Sequence, residues 1–186
     1  MRPSFLTAVF GLVVLSQAAH ADEPGVLYVG AGAGPITVQG VDGYTTGYKA
    51  FFGGNFNPYF GMEAAYIDAG SSSAAVYDPN TGVSANVEVT VRAAQVSLLG
   101  KIPLSRYFGL FGRVDGTYWR SDASATASDP YGNAVWYSGY ETGTGLGWGA
   151  GGEASWGNFA VRAEFEQSSI NSSTYRLISG SLIYRY

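Results

Sequence analysis

Phe159-Ala160-Val161-Arg162-Ala163-Glu164-Phe165-Glu166 alternates without a break. Phe159, Val161, Ala163 and Phe165 share one face of an extended strand. Ala160, Arg162, Glu164 and Glu166 share the other. A soluble sandwich buries such an apolar face and wets the charged one. A membrane barrel gives the apolar face to lipid and turns the charged face into its lumen. The rest of the chain decides between them.

The same period recurs on both sides. In Tyr59 to Asp68, Phe60, Met62, Ala64 and Tyr66 oppose Gly61, Glu63 and Ala65. In Tyr107 to Trp119, Phe108, Leu110, Val114 and Tyr118 oppose Phe111, Arg113, Asp115 and Thr117. In Tyr140 to Glu153, Tyr140, Leu146, Trp148 and Ala150 oppose Glu141, five glycines from Gly143 to Gly151, and Glu153. A glycine ladder on an inner face predicts room for large side chains from across a narrow lumen.

Eight strands fit the pattern, near residues 26–34, 45–56, 59–69, 87–102, 107–121, 138–154, 158–168 and 175–186. The links alternate in length. Short turns fall at Asn57-Pro58, Pro103 to Arg106 and Ser155 to Asn158. Longer ones rich in Gly, Ser, Asn, Asp and Pro fall at 35–44, 70–86, 122–137 and 169–174. That asymmetry predicts an all-β, eight-stranded antiparallel transmembrane barrel, an up-and-down meander with short periplasmic turns and longer extracellular loops. Outward Tyr66, Tyr118, Tyr140 and Tyr184 fall where aromatic girdles meet the water–lipid boundaries.

The N-terminus agrees. Arg2, an apolar run from Phe5 to Leu15 and Ala19-His20-Ala21 read as a cleaved secretory signal over residues 1–21. The run is shorter than the roughly 18 apolar residues of a spanning helix. Residues 22–186 would form the barrel domain. They carry nine Lys/Arg against fourteen Asp/Glu, a balance that argues against a nucleic-acid partner. The 186-residue chain has no cysteine, so disulfides do not staple the exported fold.

The ordered set of pieces resembles the OmpA-like transmembrane barrels of Gram-negative bacteria. Leu27-Tyr-Val-Gly-Ala-Gly-Ala-Gly34 is similar to that family's first strand, and Phe52 to Tyr66 to its second hairpin. Gly100-Lys-Ile-Pro-Leu104, Leu110-Phe-Gly-Arg113 and Tyr118-Trp-Arg-Ser-Asp122 resemble strands four and five. Gly151-Gly-Glu153 and Val161-Arg-Ala-Glu164 resemble strands six and seven. The resemblance implies a barrel with both termini in the periplasm and a place in the outer membrane. It also implies an interior charge cluster at Glu63, Glu153 and Arg162, with Lys101 near the family's lumenal lysine. Gly32 stands where the best-known pattern has a first-strand lysine. Parity independently turns Glu63, Arg113, Glu153, Arg162 and Glu164 inward.

Enzyme chemistry finds little support. The sole histidine, His20, lies in the signal, so a Ser–His or Asp–His site is lost on cleavage. There is no His/Cys metal set and no cofactor motif. Glu164 and Glu166 both point inward and read as partners of lumenal arginines rather than as a catalytic pair. Gly30 to Gly34 reads as strand, not as a phosphate loop. Asp78-Pro-Asn-Thr-Gly82 and Asp129-Pro-Tyr-Gly-Asn133 read as β-turns rather than calcium loops. Tyr77, Tyr131, Trp136 and Tyr137 read first as turn packing and interfacial anchors, with contact to a host surface, a phage or lipopolysaccharide as the alternative.

The sequence therefore predicts a non-enzymatic outer-membrane barrel with a membrane-structural or surface-interaction role and a filled lumen. Its partners would be outer-membrane lipids, lipopolysaccharide and the barrel-assembly machinery. A low-conductance channel and a lipid-modifying enzyme are the rivals. Because the chain stops at Tyr186, no peptidoglycan-binding domain is expected to follow. Tyr184 and Tyr186 share the outer face of an alternating last strand, similar to the terminal signal read during outer-membrane insertion. That strand is predicted to close on Leu27 to Gly34.

Overall fold

The computed structural model describes residues 26–38, 44–78, 83–128, 134–170 and 173–186. The signal assigned to residues 1–21 lies outside the described residues. So do most of the two Asp-Pro turns.

Eight strands form a closed antiparallel barrel in chain order. They are β1 (Leu27–Val38), β2 (Thr45–Asn57), β3 (Phe60–Asp78), β4 (Val83–Pro103), β5 (Phe108–Ser128), β6 (Ala134–Trp156), β7 (Phe159–Ile170) and β8 (Ser173–Arg185). Closure satisfies the strand edges that a membrane leaves without water. β8 pairs with β1 from Tyr28↔Arg185 to Val38↔Tyr175. Beyond the strand, the Tyr186 amide donates to the Leu27 carbonyl at 3.0 Å. The periplasmic turns are tight. The Tyr59 and Phe60 amides donate to Asn57 Oδ1, and the Tyr107 and Phe108 amides donate to Ser105 Oγ.

The barrel is inside-out relative to a soluble protein. Arg113 is 3% exposed and its neighbour Val114 is 59% exposed. Leu98, Leu146, Ile178 and Leu182 also face outward. From Phe108 to Tyr118 the outer face of β5 is apolar over eleven residues, about 25 Å along the barrel axis at a typical tilt. That is the height of an outer-membrane apolar band.

The strands run further than the alternation indicated. β3 continues to Asp78, β4 begins at Val83, β5 reaches Ser128 and β6 begins at Ala134. Most of the links assigned to 70–86 and 122–137 are thus strand. The cause is register: small and β-branched residues keep pairing beyond the bilayer, from Ser71↔Thr90 to Asp78↔Val83 and from Asp122↔Tyr140 to Ser128↔Ala134. Ser, Ala and Thr alternate too weakly in hydropathy to signal a strand.

A bulge marks where β3 leaves the barrel. Register shifts between Asp68 and Ser71. Gly70 takes a φ of 76°, a left-handed geometry that glycine adopts without steric cost, and its amide donates to Asp68 Oδ1 at 2.9 Å. Thr45 Oγ1 holds the Ala69 carbonyl at 2.9 Å.

Candidate functional site

Two regions carry the polar chemistry: the lumen and the sheet above the bilayer. In the lumen, alternate residues of each strand converge. Arg162 on β7 reaches Glu63 on β3 through Nη1 at 2.7 Å, and Glu153 on β6 through Nε and Nη2 at 3.1 and 3.0 Å. Arg113 on β5 donates through Nη1 to Glu164 at 2.6 Å and to Glu63 at 3.1 Å. Its Nε donates to Asp115 at 2.7 Å. Its Nη2 contacts Gln95 Oε1 at 2.8 Å and also Ser97 Oγ. Lys49 on β2 donates to Glu166 at 2.6 Å and to Glu164 at 3.2 Å. Arg185 pairs with Glu153 nearer the periplasm.

The structure therefore brings together Glu63, Arg113, Glu153, Arg162 and Glu164. Lys101 also points inward but stands apart. Its Nζ donates to Asn55 Oδ1 at 2.7 Å and lies 5.3 Å from the Tyr28 ring centre. It lines a cavity of about 80 Å³ at the periplasmic mouth, with Asn55, Glu153 and Arg185. Glu166 joins Lys49 and Glu164 joins Arg113, so Arg162 takes its carboxylates from β3 and β6 instead of from its own strand.

The sequence alternation does not mark Lys49 as a lumenal residue. Phe51, Phe52, Gly53 and Gly54 blur the alternation of β2. The usable signal was local: Lys49 shares parity with Gly47 and Phe51, while Tyr48 and Ala50 flank it on the outer face.

The glycine ladder of β6 makes room, but for the neighbouring strand. Trp119, Arg113 and Phe111 on β5 stand directly opposite Gly143, Gly149 and Gly151. A Cβ on Gly143 would lie 2.8 Å from the Trp119 ring, and one on Gly149 would lie 3.1 Å from Arg113 Cγ. A strongly curved sheet tilts large inward side chains over the adjacent strand before they reach the far wall.

Above the charges, Ile36, Ile67, Ala93, Trp119, Tyr175 and Leu177 form a buried apolar cluster. Below them, the Arg162 guanidinium stacks near Phe111 and Phe51, at 4.7 and 5.1 Å from the ring centres. The lumen is filled through most of its height.

The second region begins at a row of outward tyrosines, Tyr66 and Tyr118, paired through Ala94. One row higher, Asp68, Arg92 and Arg120 are paired in register. Arg92 lies 3.7 Å from Asp68, and Arg120 Nη2 lies 2.7 Å from Asp122. The hydrogen bond from Arg120 holds the Asp122 carboxyl below the usual carboxylate range. Arg120 also lies 4.6 Å from the Tyr140 ring centre. A switch from aromatic to charged residues on an outward face marks the membrane boundary.

Beyond that line β3, β4, β5 and β6 continue as a four-stranded sheet. Pairing of β2 with β3 ends at Tyr48↔Asp68, and pairing of β6 with β7 at Gly147↔Ser168. Val135, Trp136, Tyr137 and Tyr140 on β6 are exposed, Trp136 by 80%. Both strands at the sides of this sheet lack a pairing partner there among the described residues.

Comparison with known proteins fits this architecture. A crystal structure of Ail, the attachment invasion locus protein of Yersinia pestis, matches with a TM-score of 0.58 and 16% identity, covering 88% of this chain and 100% of that one. The crystal structure of Neisserial surface protein A matches with a TM-score of 0.58 and 13% identity, covering 87% and 99%. The N-terminal barrel of Pseudomonas aeruginosa OprF matches with a TM-score of 0.56 and 10% identity, covering 88% and 98%. No curated protein sequence matches. The family model described as the outer membrane protein beta-barrel domain matches residues 5–185. The chain belongs to that outer-membrane β-barrel family, and its place is the Gram-negative outer membrane.

Proposed function

We propose that this protein is a non-enzymatic, non-conducting outer-membrane barrel whose role is surface interaction, carried by the β3–β6 sheet. The signal over residues 1–21 exports it, and Tyr184 and Tyr186 present its last strand to the barrel-assembly machinery. The observation that carries the reading is the contrast between the two regions. The lumen is occupied by paired charges under an apolar cluster. The sheet above the tyrosine row exposes Trp136, Tyr137 and Tyr140 to the outside.

Charge narrows the partner. Ail has been crystallised with the heparin analogue sucrose octasulfate, a polyanion. Here the described strands above the tyrosine row carry Arg92, Arg120 and Arg176. Against them, among the described residues, stand Asp68, Glu88, Asp122 and Glu141. An acidic surface repels polyanions at long range. Contact is therefore made through aromatic side chains and strand edges, with a protein surface or the sugar portion of lipopolysaccharide.

Expression in a non-adherent bacterial strain tests this. Cells bearing the full protein should adhere to cultured epithelial cells. Cells in which β3–β4 and β5–β6 are shortened to the tyrosine row should not. Adhesion no greater than that of the empty strain would overturn the reading.

A further inference from the structure

We propose that the periplasmic mouth of the barrel binds one small oxyanion, a phosphate or a carboxylate, through Asn55, Asn57, Lys101, Ser105 and Arg106. The inference goes beyond the surface role and does not depend on it.

These five residues line one cavity of about 80 Å³, together with Glu153 and Arg185. Asn55 and Asn57 close β2, Lys101 lies near the end of β4, and Ser105 and Arg106 sit in the turn between β4 and β5. The Lys101 amide donates to the Tyr59 carbonyl at 2.7 Å, which ties β4 to the turn after Asn57. Gly109 of β5 pairs with Pro103 on one side and Glu153 on the other. Its missing side chain leaves the space clear, since a Cβ there would meet nothing closer than 3.5 Å. At about 30 Å³ for each water, the cavity has room for a group the size of a phosphate or a carboxylate.

Hydrogen-bond roles select the ligand. Asn55 Oδ1 accepts from Lys101 Nζ at 2.7 Å. Asn57 Oδ1 accepts from the Tyr59 and Phe60 amides at 2.8 and 2.9 Å. Ser105 Oγ accepts from the Tyr107 and Phe108 amides at 3.2 and 3.1 Å. Each of these side chains has committed its acceptor to the protein. What it can still offer is a donor: an Nδ2 amide on each asparagine and the hydroxyl proton of Ser105. Lys101 adds its remaining N–H groups and Arg106 its guanidinium. A cavity walled by donors suits a ligand that only accepts, and an ionised phosphate or carboxylate is such a ligand.

Charge agrees. Among the described residues Glu153 is the only acid on the cavity wall. Its Oε2 accepts from Arg162 and its Oε1 from Arg185, so both oxygens are engaged. The other lumenal carboxylates, Glu63, Asp115, Glu164 and Glu166, are held further in by Lys49, Arg113 and Arg162. Balance over the lumen as a whole therefore leaves Lys101 without an ion pair among the described residues; its contacts are Asn55 and the Tyr28 ring. Arg106, outside the lumen, has only the Tyr107 ring, 5.9 Å from its guanidinium carbon. Hydrogen bonds from two cations to an oxyanion are the strong, charge-assisted kind.

Equilibrium dialysis of the full barrel in non-ionic detergent, against radiolabelled phosphate and separately against acetate, tests the site. One of the two should bind saturably, at about one ion per barrel. Tighter phosphate identifies a phosphate group and tighter acetate a carboxylate. Arg106→Gln removes a cation from an exposed turn. Asn57→Asp keeps the acceptor for both turn amides and replaces the donor with a carboxylate oxygen. Gly109→Val fills the space and removes no donor. Each should weaken binding by about tenfold or more in barrels that still show heat-modifiable migration. Arg176→Gln, exposed at the opposite end, should bind as the parent does. No saturable binding of either ion would overturn the site. So would parental affinity in Arg106→Gln and Asn57→Asp, or an equal loss in Arg176→Gln.

Discussion

Arg162 Nη1 and Glu63 Oε2 meet at 2.7 Å across the lumen, from β7 and β3, strands on opposite walls of an eight-stranded ring. The residues are 99 positions apart in sequence. With Arg113 and Lys49 reaching the same Glu63 at 3.1 and 3.7 Å, the bond ties the walls together where a channel would have to pass.

Removing one partner of that bond should be costly. Arg162→Met removes the guanidinium that bridges Glu63 and Glu153 and leaves them to Arg113, Lys49 and Arg185, so it should destabilise the barrel by about 3–5 kcal/mol. Arg176→Met, which loses only an exposed contact to Gln167 at 3.1 Å, should cost at most about 1 kcal/mol. Urea titration of folding into detergent micelles measures both. Equal effects would contradict a structural role for the lumenal network.

The lipid face sets a second expectation. Val114→Arg places a charge in the middle of the apolar band and should cost about 2–4 kcal/mol in bilayers. Ser124→Arg, on the same face of β5 but above the Arg120–Asp122 row, should change stability by less than about 0.5 kcal/mol. Folding into lipid vesicles at graded urea checks the difference. Matching costs would place the bilayer boundary elsewhere.

Glycines in the wall divide the same way. Gly149→Ala puts a Cβ 2.7 Å from the Phe165 carbonyl and should cost about 1–3 kcal/mol through overpacking. Gly116→Ala meets nothing within 4 Å and faces lipid, so its effect should stay within about 0.5 kcal/mol. Heat-modifiable migration on a gel, a shift expected of a closed barrel, reports both variants. The transition should fall to lower temperature for the first alone.

Parity makes much of this legible in the sequence alone. In β5 and β7, charged residues alternate with large apolar ones, so Arg113, Arg162 and Glu164 could be turned inward from the sequence. β2 was harder because adjacent phenylalanines and glycines sit at both parities, which hid Lys49. The extent of the projecting sheet was also hidden. Above the bilayer neither face of β3 or β5 contacts lipid, so Ser, Ala and Thr occupy both faces and the period fades. Partners across the lumen could not be read at all. Which carboxylate Arg162 meets depends on the stagger around the ring, a property of closure rather than of any one strand.

The last strand offers a fourth test. Tyr184 and Tyr186 stack edge-on with ring centres 5.1 Å apart, and Phe159 lies 5.2 Å from Tyr184. Deleting Tyr186 also removes the amide that holds the Leu27 carbonyl at the β1–β8 seam. Assembly in cells should fall severalfold, read as folded protein in the outer-membrane fraction. Unchanged assembly would argue against a role for this residue in insertion.

Planar-bilayer recording of the purified barrel tests the central claim most directly. A lumen tied across by Arg162 and Glu63 and capped by Trp119 and Leu177 should give no steady conductance at either polarity. Arg162→Ala should open measurable leakage if it still folds. Stable unitary steps from the unaltered protein would contradict a closed barrel and favour a channel.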